Sequence, residues 1–252
     1  MKQIVTRGRD TEAIDLAYGR LDPGEVFEAG GHDEVVAVVM QGAVEARAGD
    51  ADLGRTPPRS DPFGELGHAV YAPPGAPLRL AAADGGAVVA VASAAPGDDE
   101  PGAARIIGPD EQHVATVGAG NWERTVRTML GPDDRAARLL VGETLNPAGN
   151  WSSYPPHKHD EHAPPEEVRL EEVYLFRVVP EGGFGVQLRY EPGTESTFIV
   201  RDGDVAVIRS GYHPVVAAPG YDLYYLWVLA GEGRAMAPRL DPQHAWVQEH
   251  AA

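Results

Sequence analysis

Glycine and proline punctuate this chain along its whole length, and their spacing constrains the fold more than any other feature. The 30 glycines and 22 prolines separate short runs rich in valine, leucine and tyrosine. Both residues favour turns and weaken helices, so short apolar runs between them are typical of strands. The sequence therefore predicts an all-β chain. Strands are expected at 34–40, 43–48, 69–72, 77–82, 87–93, 138–145, 172–179, 185–190, 197–200, 204–209, 214–218 and 222–230.

The length of 252 residues fits two modest domains or one large all-β unit. The segment Ala94–Pro101 combines proline, glycine and acidic residues that do not pack into a core, so it predicts a linker. The run that begins at Glu34 also resembles the run that begins at Glu172, as weak repeats do. We therefore expect two domains, residues 1–100 and residues 101–252.

Charge and cysteine content exclude several classes of function. The 38 acidic and 21 basic residues give a net charge of −17, which repels a phosphate backbone, so nucleic acid is not an expected partner. No apolar run is long enough for a membrane span and the first residues lack a secretory signal, which predicts a cytoplasmic protein without a membrane partner. The chain has no cysteine, so imidazole and oxygen atoms are the donors left for a metal.

Three histidines and one glutamate form a candidate metal site. His157 and His159 are two residues apart, so in an extended segment their side chains point the same way. Glu172 opens a predicted strand, and His213 follows a turn, a strand and Gly211. Three imidazoles and a carboxylate suit one divalent ion of Zn, Mn, Fe, Co or Ni, with open positions for water or substrate. The plainer interpretation of the first pair is two solvated loop histidines. The other histidines considered (His32, His68, His113, His244 and His250) are assigned to surface or structural positions.

Longer segments around these residues resemble a known family. His157 to His159, Glu172 to Tyr174 and the segment 203–213 (Gly-Asp-Val-Ala-Val-Ile-Arg-Ser-Gly-Tyr-His) resemble the two metal-binding motifs of the cupin superfamily. The segments 149–160 (Gly-Asn-Trp-Ser-Ser-Tyr-Pro-Pro-His-Lys-His-Asp) and 211–226 are similar to those of the 5-deoxy-glucuronate isomerase family of inositol catabolism. The resemblance covers most of residues 105–246 and is thinner in the first hundred.

The resemblance implies a bicupin, two tandem jelly-roll-like β-barrels. The barrel of residues 1–100 would be degenerate and lack metal ligands, whereas that of 101–252 would hold the metal through His157, His159, Glu172 and His213. Cupins usually place the glutamate closer to the second histidine, and here Glu161 to Glu171 forms an insert. Glu171 and Glu172 face opposite sides of a strand, so only one of them can coordinate, and the Glu-Val-Tyr context favours Glu172.

The family's reaction interconverts 5-deoxy-D-glucuronate and 2-deoxy-5-keto-D-gluconate, and the resemblance implies a metal-dependent aldose–ketose isomerase. In this hypothesis the metal holds the carbonyl and hydroxyl oxygens and stabilises an enediolate. The base is not identified. Candidates for proton relay or hydroxyl binding lie on neighbouring predicted strands: Tyr174, Gln187, Tyr224 and Tyr225. Each tyrosine is also a candidate core residue.

The substrate's carboxylate calls for a cation. Arg189 is favoured over Lys158, which should face away from its histidine neighbours. Two other classes of function remain open, a cupin Fe(II) dioxygenase and a non-catalytic sugar-binding cupin. The expected partner is a small sugar acid, and exposed sheet edges make a homo-oligomer possible.

Overall fold

The computed structural model describes the backbone of residues 1–250 and the side chains of residues 1–248. Within that range the helices are three short 3-10 segments, Pro109–Glu111, Gly120–Trp122 and Ala245–His250, and the rest of the regular structure is β-strand. The all-β prediction is confirmed. The side chain of His250, assigned above to the surface, lies outside the described residues. None of the described helices has the length and apolar character needed to cross a bilayer.

The chain forms two compact units. Unit 1 consists of residues 1–112 and 129–141, and unit 2 of residues 113–128 and 142 onward. The boundary expected at residue 100 lies near the end of the first segment of unit 1. The assignment of a metal-free first domain and a metal-binding second domain stays a prediction.

Unit 1 is built on one eight-stranded sheet with the order β1-β2-β7-β4-β6-β8, in which β3 pairs with β7 and β5 pairs with β4. Its strands are β1 (Lys2–Val5), β2 (Ile14–Leu21), β3 (Val26–Ala29), β4 (Glu34–Ala48), β5 (Ala51–Arg55), β6 (Ala69–Ala72), β7 (Leu78–Ala94) and β8 (Arg105–Ile107).

The core of unit 1 follows from the pattern of β4. Its first seven residues, from Glu34 to Met40, are all buried, and β6 and β7 pair with its two edges. A strand covered on both faces is expected to be continuously apolar, and six of these seven residues are. Beyond Gly42 buried and exposed residues alternate, as in a strand with one solvated face.

Two strands are longer than the sequence predicted. The predicted strands 43–48 and 77–82 are not separate elements, because each is joined to a neighbouring predicted strand within β4 or β7. The pairing of β4 with β7 shifts register at Gly42, whose φ is +77° and whose Cβ would lie 2.1 Å from the carbonyl oxygen of Gly86. Glycine therefore marks a bulge here and not the end of a strand.

Unit 2 is built on three sheets. A six-stranded sheet has the order β17-β14-β19-β11-β10-β9, a four-stranded sheet the order β12-β18-β15-β16, and β13 pairs with β20. The strands are β9 (His113–Val117), β10 (Arg124–Leu130), β11 (Leu140–Asn146), β12 (Trp151–Ser152), β13 (His157–Lys158), β14 (Leu170–Val179), β15 (Gly185–Glu191), β16 (Thr194–Val200), β17 (Val205–Ile208), β18 (Val215–Ala217), β19 (Asp222–Gly231) and β20 (Arg239–Leu240). The hydrogen-bonded sheets of both units are open, so the expected barrels are not closed.

Candidate metal centre

His157 and His159 lie on the same side of an extended segment, as their spacing predicts. His157 belongs to β13 and pairs with Leu240 of β20, and the two imidazole centroids are 6.2 Å apart. Lys158 lies between them and its ammonium is held by Asp160, by Glu161 at 3.2 Å and by Glu167 at 3.0 Å. Burial lowers the pKa of Lys158, but hydrogen bonds to these three carboxylates outweigh it and raise the pKa.

His213 reaches the same point from the loop between β17 and β18, and that loop is fixed from two sides. Asp160 Oδ2 accepts a hydrogen bond from the Gly211 amide at 2.6 Å, which joins the His213 loop to the segment of the first two histidines. Gln187 Nε2 donates to the carbonyl of His213 at 2.7 Å and to that of Pro214 at 3.1 Å. Gly211 itself has a φ of +82°, and its Cβ would lie 2.8 Å from the carbonyl oxygen of Tyr190. The turn therefore requires glycine at this position.

The three imidazoles and Glu172 converge on one point. One ligand atom from each of His157, His159 and His213 lies within 4.8 Å of the others. Glu172 Oε2 is 3.2 Å from His159 Nε2 and 3.3 Å from His213 Nε2. Donors separated by up to 56 positions in the chain thus meet around a volume the size of a single ion.

Backbone carbonyls set the tautomers of two of these histidines. His159 Nδ1 lies 2.7 Å from the carbonyl oxygen of Leu170, and His213 Nδ1 lies 2.9 Å from that of Gly211. A carbonyl oxygen only accepts, so Nδ1 carries a proton in both rings, and Nε2 is the nitrogen that faces Glu172. His213 Nε2 is buried and has no hydrogen-bond partner among the described residues. An imidazole nitrogen faces a carboxylate favourably only with a proton or a metal ion between them, and three imidazoles with one carboxylate are a donor set that fits a divalent ion.

The pKa shifts of Glu172, His159 and His157 are consistent with a site that attracts positive charge. Burial alone raises the pKa of Glu172, but its interactions with the nearby imidazoles of His159 and His213 lower it to about 2. Burial lowers the pKa of His159, and the Glu172 carboxylate outweighs it, so that pKa is raised. Burial also lowers the pKa of His157 well below its ordinary value, and the charges of His213 and His159 lower it further. The carboxylate stays ionised and draws a positive charge, a proton or a metal ion, to this point.

Strand alternation separates Glu172 from its neighbour. Glu172 pairs with Leu229 and Ile208 and points to the histidines, whereas Glu171 pairs with Ala230 and lies on the other face of β14. The same alternation brings Tyr174 and Phe176 to the face of Glu172.

Two tyrosines predicted from the sequence lie beside the histidines. The rings of Tyr174 and Tyr225 are 4.4 Å apart, and Tyr174 is 6.3 Å from His213. Ser153 Oγ is 2.9 Å from the Tyr174 hydroxyl, and Ser152 Oγ is 2.5 Å from that of Tyr225. Burial raises the pKa of both phenols, so both stay protonated at neutral pH.

Other predicted residues lie elsewhere. Tyr224 lies on the opposite face of β19 from Tyr225, where its hydroxyl donates to Glu143 Oε1 at 2.8 Å. Arg189 donates from Nε to the Ser210 carbonyl at 2.9 Å and from Nη2 to Ser210 Oγ at 2.7 Å. These contacts do not support substrate binding by Tyr224 or Arg189, whose roles stay predictions.

Unit 2 also contains a cavity of about 410 Å³. Pro156 and Pro214 line it, and each directly precedes or follows a histidine of the cluster. Its other walls are largely aromatic and include Trp122, Trp151 and Tyr154. Apolar walls beside a few convergent polar groups are typical of small-molecule sites.

Sequence reasoning missed Ser152, Ser153 and Arg124. The two serines precede the histidine segment without any pattern of their own, and Ser153 has a φ of +50°, which the sequence does not indicate. Arg124 begins β10, a strand that was not predicted. No alternation of polar and apolar residues in Arg-Thr-Val-Arg-Thr-Met-Leu marks this segment as a strand.

Comparison with solved structures identifies the class of fold. The chain superposes on an IolB-like protein from Salmonella typhimurium LT2 with a TM-score of 0.91 and 30% identity, over 98% of this chain and 94% of that one. It also superposes on an oxalate decarboxylase from Lactobacillus farciminis, with a TM-score of 0.63 and 14% identity over 90% and 79% of the two chains. The bicupin prediction is confirmed as a fold class.

Comparison of sequences gives the family. A model of the KduI/IolB family matches residues 2–247, and the chain belongs to this family. A 5-deoxy-glucuronate isomerase of Geobacillus thermodenitrificans is 49% identical over 148 residues, 58% of this chain and 54% of that protein. One from Shouchella clausii is 32% identical over 259 residues, 98% of this chain and 94% of that protein. In the first of these relatives and in two similar ones, the matched segment spans about half the length of the protein.

Proposed function

We propose that this chain is a metal-dependent aldose–ketose isomerase that interconverts 5-deoxy-D-glucuronate and 2-deoxy-5-keto-D-gluconate. The observation that carries the proposal is the convergence of His157, His159, His213 and Glu172 on one point. The chain neighbours of two of these histidines, Pro156 and Pro214, line the 410 Å³ cavity. The family and the names of the relatives support the choice of substrate.

His157, His159, Glu172 and His213 would hold one divalent ion of Zn, Mn, Fe, Co or Ni through imidazole nitrogens and a carboxylate oxygen. A bound ion would polarise the carbonyl and hydroxyl oxygens of the sugar and stabilise the negative charge of an enediolate. The hydrogen bonds from Nδ1 of His159 and His213 to backbone carbonyls orient both rings for this task.

Tyr174 and Tyr225 act as hydrogen-bond donors in this proposal. The reaction moves one hydrogen from the hydroxyl-bearing carbon to the aldehyde carbon, and one proton passes between the two oxygens. A phenol that stays protonated can donate its proton to the aldehyde oxygen as this oxygen becomes negative, and it can regain a proton from the hydroxyl oxygen that becomes the ketone. The serines that contact their hydroxyls fix the direction of the two phenols.

Gln187 serves the site through His213. Its Nε2 donates to the carbonyls of His213 and Pro214, so it holds the loop that presents this imidazole. It is therefore a positioning residue in the proposal.

Metal content and turnover, measured on the same preparation, test the proposal. We expect elemental analysis to find about one divalent ion per chain, and a chelator to abolish isomerisation until the ion is restored. His157→Ala should lose the ion and the activity together, whereas His113→Ala, at an exposed position of β9, should keep both. Turnover that consumes oxygen would show a dioxygenase instead. Sugar binding without turnover in the loaded protein would show a binding protein.

A further inference from the structure

An arginine at the start of β10 lies on the face of the six-stranded sheet that carries the tyrosines. Arg124 and Arg127 are three residues apart on this strand, so their side chains point to opposite faces. Arg127 is buried with Glu143, 3.5 Å from its carboxylate, on the face of Tyr224. Arg124 is on the other face, where ionisation of the nearby Tyr225 or Tyr174 phenol would raise its pKa.

The guanidinium of Arg124 is fixed against the wall of the cavity. Its Nη1 donates to the carbonyl of Trp122 at 3.2 Å and to that of Tyr154 at 3.1 Å. Its Cζ lies 5.9 Å from the centroid of the Trp122 ring, in a cation–aromatic contact. The side chains of Trp122 and Tyr154 both line the cavity. Arg124 therefore stays close to the space where a substrate would lie.

The remaining edge of this guanidinium has no protein partner. Among the described residues no carboxylate lies within 4.0 Å of Arg124, and its Nε and Nη2 donate no hydrogen bond. Burial lowers the pKa of Arg124, as expected for a cation that no anion compensates. The Nε–Nη2 edge of an arginine presents two parallel N–H groups, the geometry that matches a carboxylate.

The two cations chosen from the sequence are already engaged. Arg189 uses the same Nε–Nη2 edge to bind Ser210, and Lys158 is held by three carboxylates. Each would have to give up internal contacts to bind a substrate, whereas Arg124 would not.

We propose that Arg124 binds the carboxylate of the sugar-acid substrate through Nε and Nη2. This inference rests on the proposed function, since it concerns the substrate of the same centre. The ligand it would select is a uronate rather than a neutral sugar.

The test compares the acid substrate with its primary amide, which keeps the shape of the carboxylate but removes its charge. Hydrogen bonds to charged groups contribute enough that the wild-type protein should prefer the acid by about 10- to 150-fold in kcat/KM. Arg124→Gln should lose this preference, mainly through a higher KM for the acid, and Arg124→Lys should keep part of it. Arg201→Gln is the matched control, because Arg201 also stacks on an aromatic ring, that of Phe184, with Cζ at 6.0 Å from its centroid. It should leave the preference unchanged.

The outcomes separate this inference from the proposed function. If the wild-type protein isomerises the acid and Arg124→Gln still prefers acid to amide, Arg124 is not the carboxylate site and the isomerase proposal stands. If the wild-type protein does not turn over the acid, the isomerase proposal fails. In that case the binding of glucuronate and glucuronamide is compared by tryptophan fluorescence, which reports on Trp122 and Trp151 at the cavity. If wild type and Arg124→Gln discriminate equally between these two ligands, the inference is overturned. Should Arg124→Gln fail to fold, an unchanged preference in folded Arg124→Lys overturns it as well.

Discussion

The buried carboxylate of Glu34 holds two distant segments of unit 1 together. Glu34 is fully buried, and its two oxygens accept four hydrogen bonds. They come from the Tyr71 hydroxyl at 2.8 Å and from the amides of Ala137 at 2.5 Å, Arg138 at 2.8 Å and Leu139 at 2.7 Å. The Glu34 carboxylate thus provides the acceptors for the three successive amides of residues 137–139, which buried backbone amides otherwise find in a neighbouring strand.

Replacing Glu34 by glutamine should destabilise unit 1 strongly. An amide keeps one oxygen, so two of the four donors would face an NH₂ group in place of an acceptor. Each buried donor left without an acceptor costs about 1–3 kcal/mol, which gives a loss of about 2–6 kcal/mol in the free energy of unfolding. This is a large share of the ~5–15 kcal/mol by which a domain is usually stable.

Urea unfolding and amide hydrogen exchange measure this effect. All four tryptophans belong to unit 2, so far-UV circular dichroism together with exchange at Arg138 and Leu139 is the better probe of unit 1. Exchange at these two amides should be faster in Glu34→Gln. Glu28→Gln makes the same chemical change on an exposed strand and should stay within about 0.5 kcal/mol of wild type. A loss below about 1 kcal/mol in Glu34→Gln, or equal effects of the two variants, would refute the reasoning.

Two further predictions concern unit 2. Asp160→Asn weakens the hydrogen bond that positions Gly211 and, with it, the loop of His213. We expect about 10- to 100-fold weaker metal binding, measured by competition with a chromogenic chelator. An unchanged metal affinity would contradict this positioning role of Asp160. Gly142→Ala would bring a Cβ within 2.2 Å of the Trp227 ring, so thermal or urea unfolding should show a loss of about 1–3 kcal/mol or more. Gly85→Ala, with open space around its Cβ, should be close to neutral, and similar losses in both variants would exclude a steric cause.

The strands that the sequence predicted best are those with continuous apolar runs between turns. The predicted strand 69–72 matches β6, and the predicted strand 222–230 differs from β19 by one residue. β9 and β10 were missed because their residues mix threonine, arginine and valine without a clean alternation. Their place in the sheet depends on pairing with each other, which local sequence does not encode.

In the candidate site, too, local sequence patterns predict some features and not others. The two-residue spacing of His157 and His159 and the alternation at Glu172 are local rules, and both describe the geometry correctly. The partners that orient these side chains come from distant segments, such as Gln187 for His213 and Leu170 for His159. No local pattern marks such contacts, because they depend on the tertiary fold. Lys158 and Arg189 were chosen for their charge and for the direction expected of Lys158, and these local arguments omit the partners that both side chains already have in the fold.

The two units put a buried glutamate in comparable positions and surround it differently. Glu34 begins β4, which lies between β6 and β7, and Glu172 lies on β14, which lies between β17 and β19. Amides and a phenol saturate the first carboxylate, so it has no capacity left for a ligand. The second faces imidazole nitrogens, which can meet it only with a proton or a metal ion between them. The groups that meet the carboxylate, and not the carboxylate itself, therefore decide whether such a position stabilises the fold or can bind a metal.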